Sequence, residues 1–335
     1  MKLSVKNQDP EIRVLSYILV GIFLLMSVLN PRHFLTLGTF QGMAFQLPEL
    51  GLLSLAMMIT MLTGGINLSI IATANISAIT AALMLTNWIN PDISAGTDGL
   101  VVFTAITAAL AVSAAAGLLN GFLIAVIDIP PILATLGTMK LFQGLAFIVT
   151  KGYVISGMPD SVRFMGNGTL LWIPMPLIIF ALSAFLLAFY LNKTATGFNL
   201  YMFGSNPVAT KFSGVVNSKV IFHTYLISGV LSGVAAIIMM SRFNSAKAGY
   251  GESYLLVTIL AAVLGGIKSE GGFGKVKGLV LSLVILQIMS NGLNLLGVNS
   301  FLTVAFWGII MIGTMVIHFS LDKRRELKLQ KGLIS

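Results

Sequence analysis

The sequence predicts an all-α polytopic membrane protein with about ten transmembrane helices, some of them broken or re-entrant, and both termini in the cytoplasm. Three observations carry that expectation. The 335 residues are 56% hydrophobic and only 9% charged, against about 25% charged in soluble domains. Apolar runs near the ~20 residues that a bilayer crossing requires recur along the chain, and no charged residue falls between Leu50 and Pro91. The Lys and Arg residues sit between these runs instead of clustering on one face, so the formal charge of +9 reads as a topology signal and not as a nucleic-acid surface.

Taken in order, spans are expected near residues 12–30, 50–63, 69–87, 100–127, 132–150, 172–191, 219–241, 254–267, 278–296 and 301–320. The first is a retained anchor, because no short apolar core with an A-x-A-like cleavage site opens the chain. The second and third flank the stretch "LTGGINLS". One straight helix over residues 50–86 would run about 55 Å, against about 30 Å of hydrocarbon. Two full crossings and a turn need more residues than that stretch holds, so either both spans are short or the helix breaks within the protein. Gly64 and Gly65 permit such a break, and Asn67 and Ser69 can satisfy the backbone groups it frees. Residues 34–49, "FLTLGTFQGMAFQLPE", are read as a re-entrant segment able to supply a missing crossing. The next four spans follow on length alone, with Lys140 inside 132–150. Span 254–267 ends at a second interruption, Leu264-Gly265-Gly266-Ile267, followed by "KSEGGFGKVKG". A pair of such interruptions hints at two related halves of the kind found in transporters.

An even number of spans puts both ends on one side. Fourteen Lys and Arg, from Lys2 to Lys331, fall on that side; five (Arg32, Lys151, Arg163, Arg242 and Lys247) fall on the other. The bias places the termini in the cytoplasm. The organisation expected is one transmembrane domain over 1–335, with cytoplasmic tails at 1–11 and 321–335 and a long cytoplasmic loop at 192–218.

Several functions are disfavoured by what the chain lacks. It has no cysteine, which excludes disulfides, thiolate metal sites and a cysteine nucleophile. No G-x-x-x-x-G-K-[ST] occurs; Gly271-Gly272-Phe273-Gly274-Lys275 has Val276 where the magnesium-binding hydroxyl belongs. The chain is therefore not expected to bind a cofactor or to be an enzyme, and no nucleophile and base stand at motif spacing. Every acid is assigned to a loop or a span end, with Glu49, Asp92, Asp98, Asp160 and Glu252 outside, so no mid-membrane carboxylate is expected to carry a coupling ion. His33, His223 and His318 show no metal-binding spacing.

The 192–218 loop reads "NKTATGFNLYMFGSNPVATKFSGVVNS". Asn206 can cap a short helix, Pro207 suits its first turn, and Ser213-Gly214 supplies a stop, which predicts a helix over roughly 207–213. Phe198, Tyr201 and Phe203, together with Phe212, place apolar side chains where a simple loop would be polar. Either they pack back onto the bundle or they anchor a partner protein.

Four segments, "LTGGINLS", "NGFLIAVIDIPPILATLGTMKLFQGLAFIVTKG", "KTATGFNLYMFGSNPVATKFSGV" and "LGGIKSEGGFGKVKGLVLSLVILQIMSNGLNLLGV", together resemble the membrane-spanning permease subunits of bacterial ABC importers for ribose and related sugars. That class includes autoinducer-2 importers. The resemblance covers about residues 50–300. It implies two permease subunits as a homo- or heterodimer, two ABC ATPase subunits using ATP and magnesium, an extracytoplasmic substrate-binding protein, and a place in the bacterial inner membrane. It also implies that the loop carrying Gly197, Phe198, Tyr201, Phe203, Gly204, Asn206, Pro207, Ala209, Phe212, Ser213 and Gly214 couples the permease to the ATPase. The chain departs from the family pattern at two places. Asn67 stands where G-G-I-D-L-S has aspartate, and Ala209-Thr210-Lys211-Phe212-Ser213-Gly214 changes the second alanine of A-A-x-x-S-G.

For a neutral sugar, hydroxyl-compatible groups are expected along the path. Asn67, Ser69 and Asn75 lie after the first break. Gln287, Asn291 and Asn294, spaced four and three apart, share one helical face near the second. Interhelical hydrogen bonding is the competing role for each. A passive channel or facilitator for a small neutral solute is the alternative function; a membrane enzyme or assembly scaffold is a third.

Overall fold

The structure is a computed structural model that describes residues 10–88, 95–299, 302–303, 305–310 and 312–313. Its elements run α1 (Pro10–Leu29), α2 (Pro31–Phe34), α3 (Leu37–Met61), α4 (Ile70–Trp88), α5 (Ala95–Ala125), α6 (Pro131–Thr150), β1 (Ile155–Ser156), α7 (Asp160–Asn167), β2 (Thr169–Leu170), β3 (Ile173–Pro174), α8 (Met175–Lys193), α9 (Ala195–Ser205), α10 (Pro207–Phe212), α11 (Asn217–Phe243), β4 (Ser245–Ala246), α12 (Tyr254–Leu264) and α13 (Val276–Leu295). Among the described residues, eight helices are long and apolar enough to cross a membrane: α1, α3, α4, α5, α6, α8, α11 and α13. The chain is an all-α polytopic membrane protein. The described residues within 302–313 are helical; most of the span expected at 301–320, the 321–335 tail and residues 1–9 of the amino-terminal tail lie outside the described residues.

The second crossing corrects the sequence reading. Residues 34–49 form no re-entrant segment, and the span does not begin at 50, because α3 is one 25-residue helix running through both stretches. Thr36 caps it by accepting the Thr39 N–H at 3.3 Å. Gln46, Pro48 and Glu49 resembled a loop because proline lacks a donor and normally ends a helix. Here Pro48 is buried inside α3, where packing by neighbouring helices sustains the interrupted ladder. Starting the crossing at Leu37 leaves residues 62–69 free to form a complete turn.

The centre of the bundle is α11, which packs on α5, α3 and α4. Small residues let it approach α5 closely: a Cβ on Gly229 would collide with the Ser113 carbonyl, and one on Gly117 with the Tyr225 carbonyl. Such small-residue seams replace the hydrophobic driving force that is missing between helices in lipid. On the outside, Leu182, Phe185, Leu186 and Phe189 of α8 are exposed, as befits a face turned to hydrocarbon.

At 27 residues, α11 is about 40 Å long, whereas the 11-residue α12 returns only about 16 Å. Residues 244–253 cover the difference without a helix. Their β4 pairs antiparallel with β1, Ser156 opposite Ser245, and the Asn75 side chain of α4 donates to the Tyr250 carbonyl at 3.0 Å. Non-helical backbone at membrane depth is sustained where protein or a cavity satisfies it. The span expected at 254–267 is thus helical only as far as Leu264, and its crossing is completed by the strand and turns of 244–253. The β1–β4 pair, the α7 helix and the β2–β3 pair lie toward one end of α11; α9 and α10 lie at the other.

Candidate translocation path and coupling surface

Helices α3 and α12 end in the same way. In the first, Gly64 N donates to Met61 O at 2.9 Å and Gly65 N to Thr60 O at 3.1 Å; in the second, Gly266 N donates to Val263 O and Ile267 N to Ala262 O, both at 3.0 Å. Gly64 (φ 77°) and Gly266 (φ 83°) take the left-handed conformation that this terminator requires. The glycine pairs are therefore out of step by one residue, with Leu62 matching Leu264 and Gly64 matching Gly266.

The ending of α3 and the loop that follows α12 both meet α9. The Leu62 carbonyl accepts the Gly272 N–H at 2.8 Å, and Gly204 lies so close to Leu62 O and Gly272 N that a Cβ there would overlap both. A Cβ on Gly271 would stand 2.7 Å from Gly64 N. Tyr201 donates its hydroxyl to the Gly274 carbonyl at 2.8 Å. Burial raises the Tyr201 pKa above the ordinary phenol value, so the hydroxyl stays a donor at neutral pH.

Within the loop the short helix near 207–213 forms as α10, and Ala195–Ser205 form a further helix, α9, where the sequence reading had a loop. The Thr194 side chain caps α9 through Gly197 N at 3.1 Å, and Gly197 packs against the Tyr190 carbonyl and Leu191. Asn206 caps α10 through Ala209 N at 2.9 Å, with Pro207 in its first turn. Ser213 closes α10, and Gly214 follows at φ 81°. The aromatic residues divide between the two alternatives. Tyr201 and Phe203 pack on the bundle core, whereas Phe198 and Phe212 are 64% and 90% exposed.

Asn67 and Ser69 are fully engaged in a buried network. Asn67 Nδ2 donates to Ser228 Oγ of α11 at 3.0 Å, and Ser228 Oγ donates to the Ala56 carbonyl of α3 at 2.8 Å. Asn67 Oδ1 accepts from Ser69 N at 3.1 Å and from Ser69 Oγ at 2.8 Å. Ser69 Oγ accepts from Asn120 Nδ2 of α5 at 2.8 Å, and Asn120 Oδ1 from Thr138 Oγ1 of α6 at 2.6 Å. Thr135 of α6 accepts from Leu68 N at 3.1 Å. These bonds tie the turn to α3, α5, α6 and α11. Asn120, Thr135, Thr138 and Ser228 were not singled out from the sequence. An asparagine in the apolar run "GLLNGF" and threonines three apart in "ATLGT" were the available signals.

Asn75 lines a cavity of about 200 Å³ between α4, α6 and the 244–253 segment, with Lys140, Gln143 and Glu252 on its wall. Gln287, Asn291 and Asn294 are not brought there. Gln287 on α13 donates to Gln46 of α3 at 3.0 Å, Asn291 is half-buried and Asn294 is exposed. Lys140 is the tenth of the 20 residues of α6, and a lysine at a helix centre costs about 2.5–3.5 kcal/mol to insert in a bilayer. Glu49 is a further correction. It is buried near the middle of α3, not at a span end, and pairs with Arg242 at 2.9 Å.

A bundle of membrane helices with interrupted crossings, an open cavity carrying polar groups on its wall and an apolar two-helix projection at one end is the architecture of a transport permease. A family model described as the permease component of a branched-chain amino acid transport system matches residues 40–315, and this chain belongs to that family. It is 35% identical over 312 residues to the ribose import permease protein RbsC of Bacillus subtilis (strain 168), covering 92% of each chain. It is 30% identical over 315 residues to the autoinducer 2 import system permease protein LsrD of Enterobacter sp. (strain 638), again 92% of each. LsrD of Photorhabdus laumondii subsp. laumondii is 29% identical over 312 residues, 90% of this chain and 89% of that one. No solved structure matches.

Proposed function

We propose that this chain is the membrane-spanning subunit of an ATP-driven, binding-protein-dependent importer of a monosaccharide or sugar-like small molecule, of the ribose or autoinducer-2 type. The observation that carries the proposal is the position of α9. Its Gly204 end rests on the terminator of α3 at Leu62 and on Gly272 in the loop that follows α12, while Phe198, Val208 and Phe212 of the same projection are exposed. A protein grasping those apolar side chains would push directly on the end of α3 and, through the loop at Gly272 and Gly274, on the end of α12.

In this reading α9 and α10 lie in the cytoplasm and seat a separate ABC ATPase, which binds and hydrolyses ATP with magnesium. A second permease subunit, identical or related, completes the path in the bacterial cytoplasmic membrane, and an extracytoplasmic binding protein delivers the solute. ATP-driven closure of the ATPase pair moves α9, and α3 and α12 tilt about their glycine turns to switch access from one side to the other. The names of the relatives, ribose and autoinducer-2 import permeases, support the substrate class.

The test is uptake of radiolabelled D-ribose and of autoinducer-2 into vesicles holding the permease, its ATPase and the binding protein. ATP-dependent accumulation of one of them is expected. Equilibration that continues unchanged when the ATPase and binding protein are omitted would establish a facilitator instead.

A further inference from the structure

The membrane-spanning part of the chain holds a polar cluster that the coupling surface does not use. Lys140 lies mid-way along α6, with apolar residues on both sides in "LGTMKLFQGLAF", and its side chain is exposed rather than packed inside the bundle. One turn further on, Gln143 Oε1 accepts from Lys140 Nζ at 3.3 Å, and Gln143 Nε2 donates to Glu252 Oε1 at 2.6 Å. Glu252 lies in the 244–253 segment, which is a two-residue strand followed by turns rather than helix. All three line the cavity of about 200 Å³ that also holds Asn75. Exposed ionised groups at mid-span do not face hydrocarbon; they face water or protein.

We propose that Asn75, Lys140, Gln143 and Glu252 form a water-filled contact site for a neutral, hydroxyl-rich solute on its way through the bundle. The chemistry of the cluster selects that class. A cation and an anion are joined through one neutral amide, so the site carries no net charge to hold an ion. Lys140 has three N–H groups and Gln143 takes one, while the Glu252 carboxylate has lone pairs beyond the one Gln143 uses. Hydroxyl groups, which both donate and accept, match such a mixed wall. Ile71, Met139, Ala146 and Leu255 supply apolar surface for the C–H faces of a sugar ring. The site rests on the importer reading for its solute, but its exposure to water does not.

The cysteine-free sequence makes single-cysteine labelling direct. Lys140→Cys and Gln143→Cys are introduced into the assembled importer in lipid vesicles, with Phe185→Cys on the exposed face of α8 as a lipid-facing reference. With a charged, water-soluble methanethiosulfonate reagent, both cluster positions are expected to react at least about tenfold faster than Phe185→Cys, because the thiolate forms only where water reaches. In parallel, Lys140→Met and Gln143→Leu are expected to lower ATP-dependent D-ribose uptake about tenfold, with ATP hydrolysis stimulated by loaded binding protein held within about twofold. A cluster that merely braces the fold would lose both activities together and lower the melting temperature. That result, labelling no faster than at Phe185→Cys, or unchanged uptake in a working importer each overturns the site. An unsubstituted chain that shows no ATP-dependent uptake overturns the importer reading instead, and the labelling rates then still decide whether the cluster is wet.

Discussion

Gly204, near the end of α9, rests on the carbonyl oxygen of Leu62, the residue that closes α3. The contact is backbone on backbone, so no side-chain rotation can relieve an added methyl group. Gly204→Ala is expected to cost about 1–3 kcal/mol by overpacking and to break the transmission of motion. The readout is ATP hydrolysis with and without loaded binding protein, where the stimulation should vanish while basal hydrolysis remains. Gly137→Ala on α6, where nothing lies within 4 Å of the new Cβ, is the control and should behave as the unsubstituted protein. Gly214→Pro should also abolish stimulation, since a φ of 81° is closed to a ring fixed near −65°.

The exposed half of the projection makes a different prediction. Phe212 is 90% exposed and Phe198 64%, so Phe212→Ser and Phe198→Ser should leave the melting temperature of the isolated permease unchanged. Buried aromatic anchors at interfaces are worth about 2 kcal/mol or more, roughly 30-fold in affinity. Copurification of the ATPase should fall accordingly. Phe203→Asp acts from the opposite side, since Phe203 packs on the core, and should lower both the melting temperature and the stimulated hydrolysis.

Asn67 offers a graded series. Asn67→Leu removes one donor and one acceptor from a chain of buried bonds linking the turn to α5 and α11. Leaving Ser69 and Ser228 under-satisfied should cost about 1–3 kcal/mol. Asn67→Asp keeps the acceptor toward Ser69 and needs only that Ser228 turn its proton from the Ala56 carbonyl to the new carboxylate. Thermal unfolding in detergent should therefore rank the asparagine form first, aspartate next and leucine last. Leucine melting with or above aspartate would show that the network does not hold the turn.

Much of this architecture was legible because hydropathy and glycine act locally. The break at Gly64-Gly65, the cap at Asn206 and the terminator at Gly214 depend on neighbouring residues alone, and each stands where the sequence places it. The misread stretch was 34–49, where Gln46, Pro48 and Glu49 carry loop-like chemistry whose tolerance comes from distant partners. Arg242 lies on α11, and no local pattern links it to Glu49. Separation of Gln287 from Asn75 was equally hidden. Helical spacing puts Gln287, Asn291 and Asn294 on one face but cannot say which neighbour that face meets, and α13 packs on α1, α3 and α12. Lys140 was visible as a charge within a span; Glu252, joined to it through Gln143, came into view only once residues 244–253 proved to be a strand and turns instead of a loop outside the spans.

Glu49 and Arg242 supply the last prediction. An acid at mid-helix in a membrane protein invites a role in proton or cation coupling, and the sequence reading had set that role aside by placing Glu49 at a span end. The structure moves Glu49 to mid-helix and gives it a charged neighbour. Glu49 is fully buried and its oxygen lies 2.9 Å from Arg242 Nη1, so its charge is committed to the guanidinium and anchors the end of α11 to the centre of α3. Breaking a buried pair from one side strands the other charge, at about 3–5 kcal/mol, whereas removing both partners costs far less. Glu49→Gln alone and Arg242→Gln alone should therefore each lower the melting temperature sharply, and the double variant should recover most of the loss. If the pair is a brace, the double variant also retains ATP-driven uptake, because no step of transport passes through the carboxylate. If Glu49 instead carries a proton, the double variant will fold and fail to transport, and uptake by the unsubstituted importer will respond to an imposed proton gradient with ATP held constant.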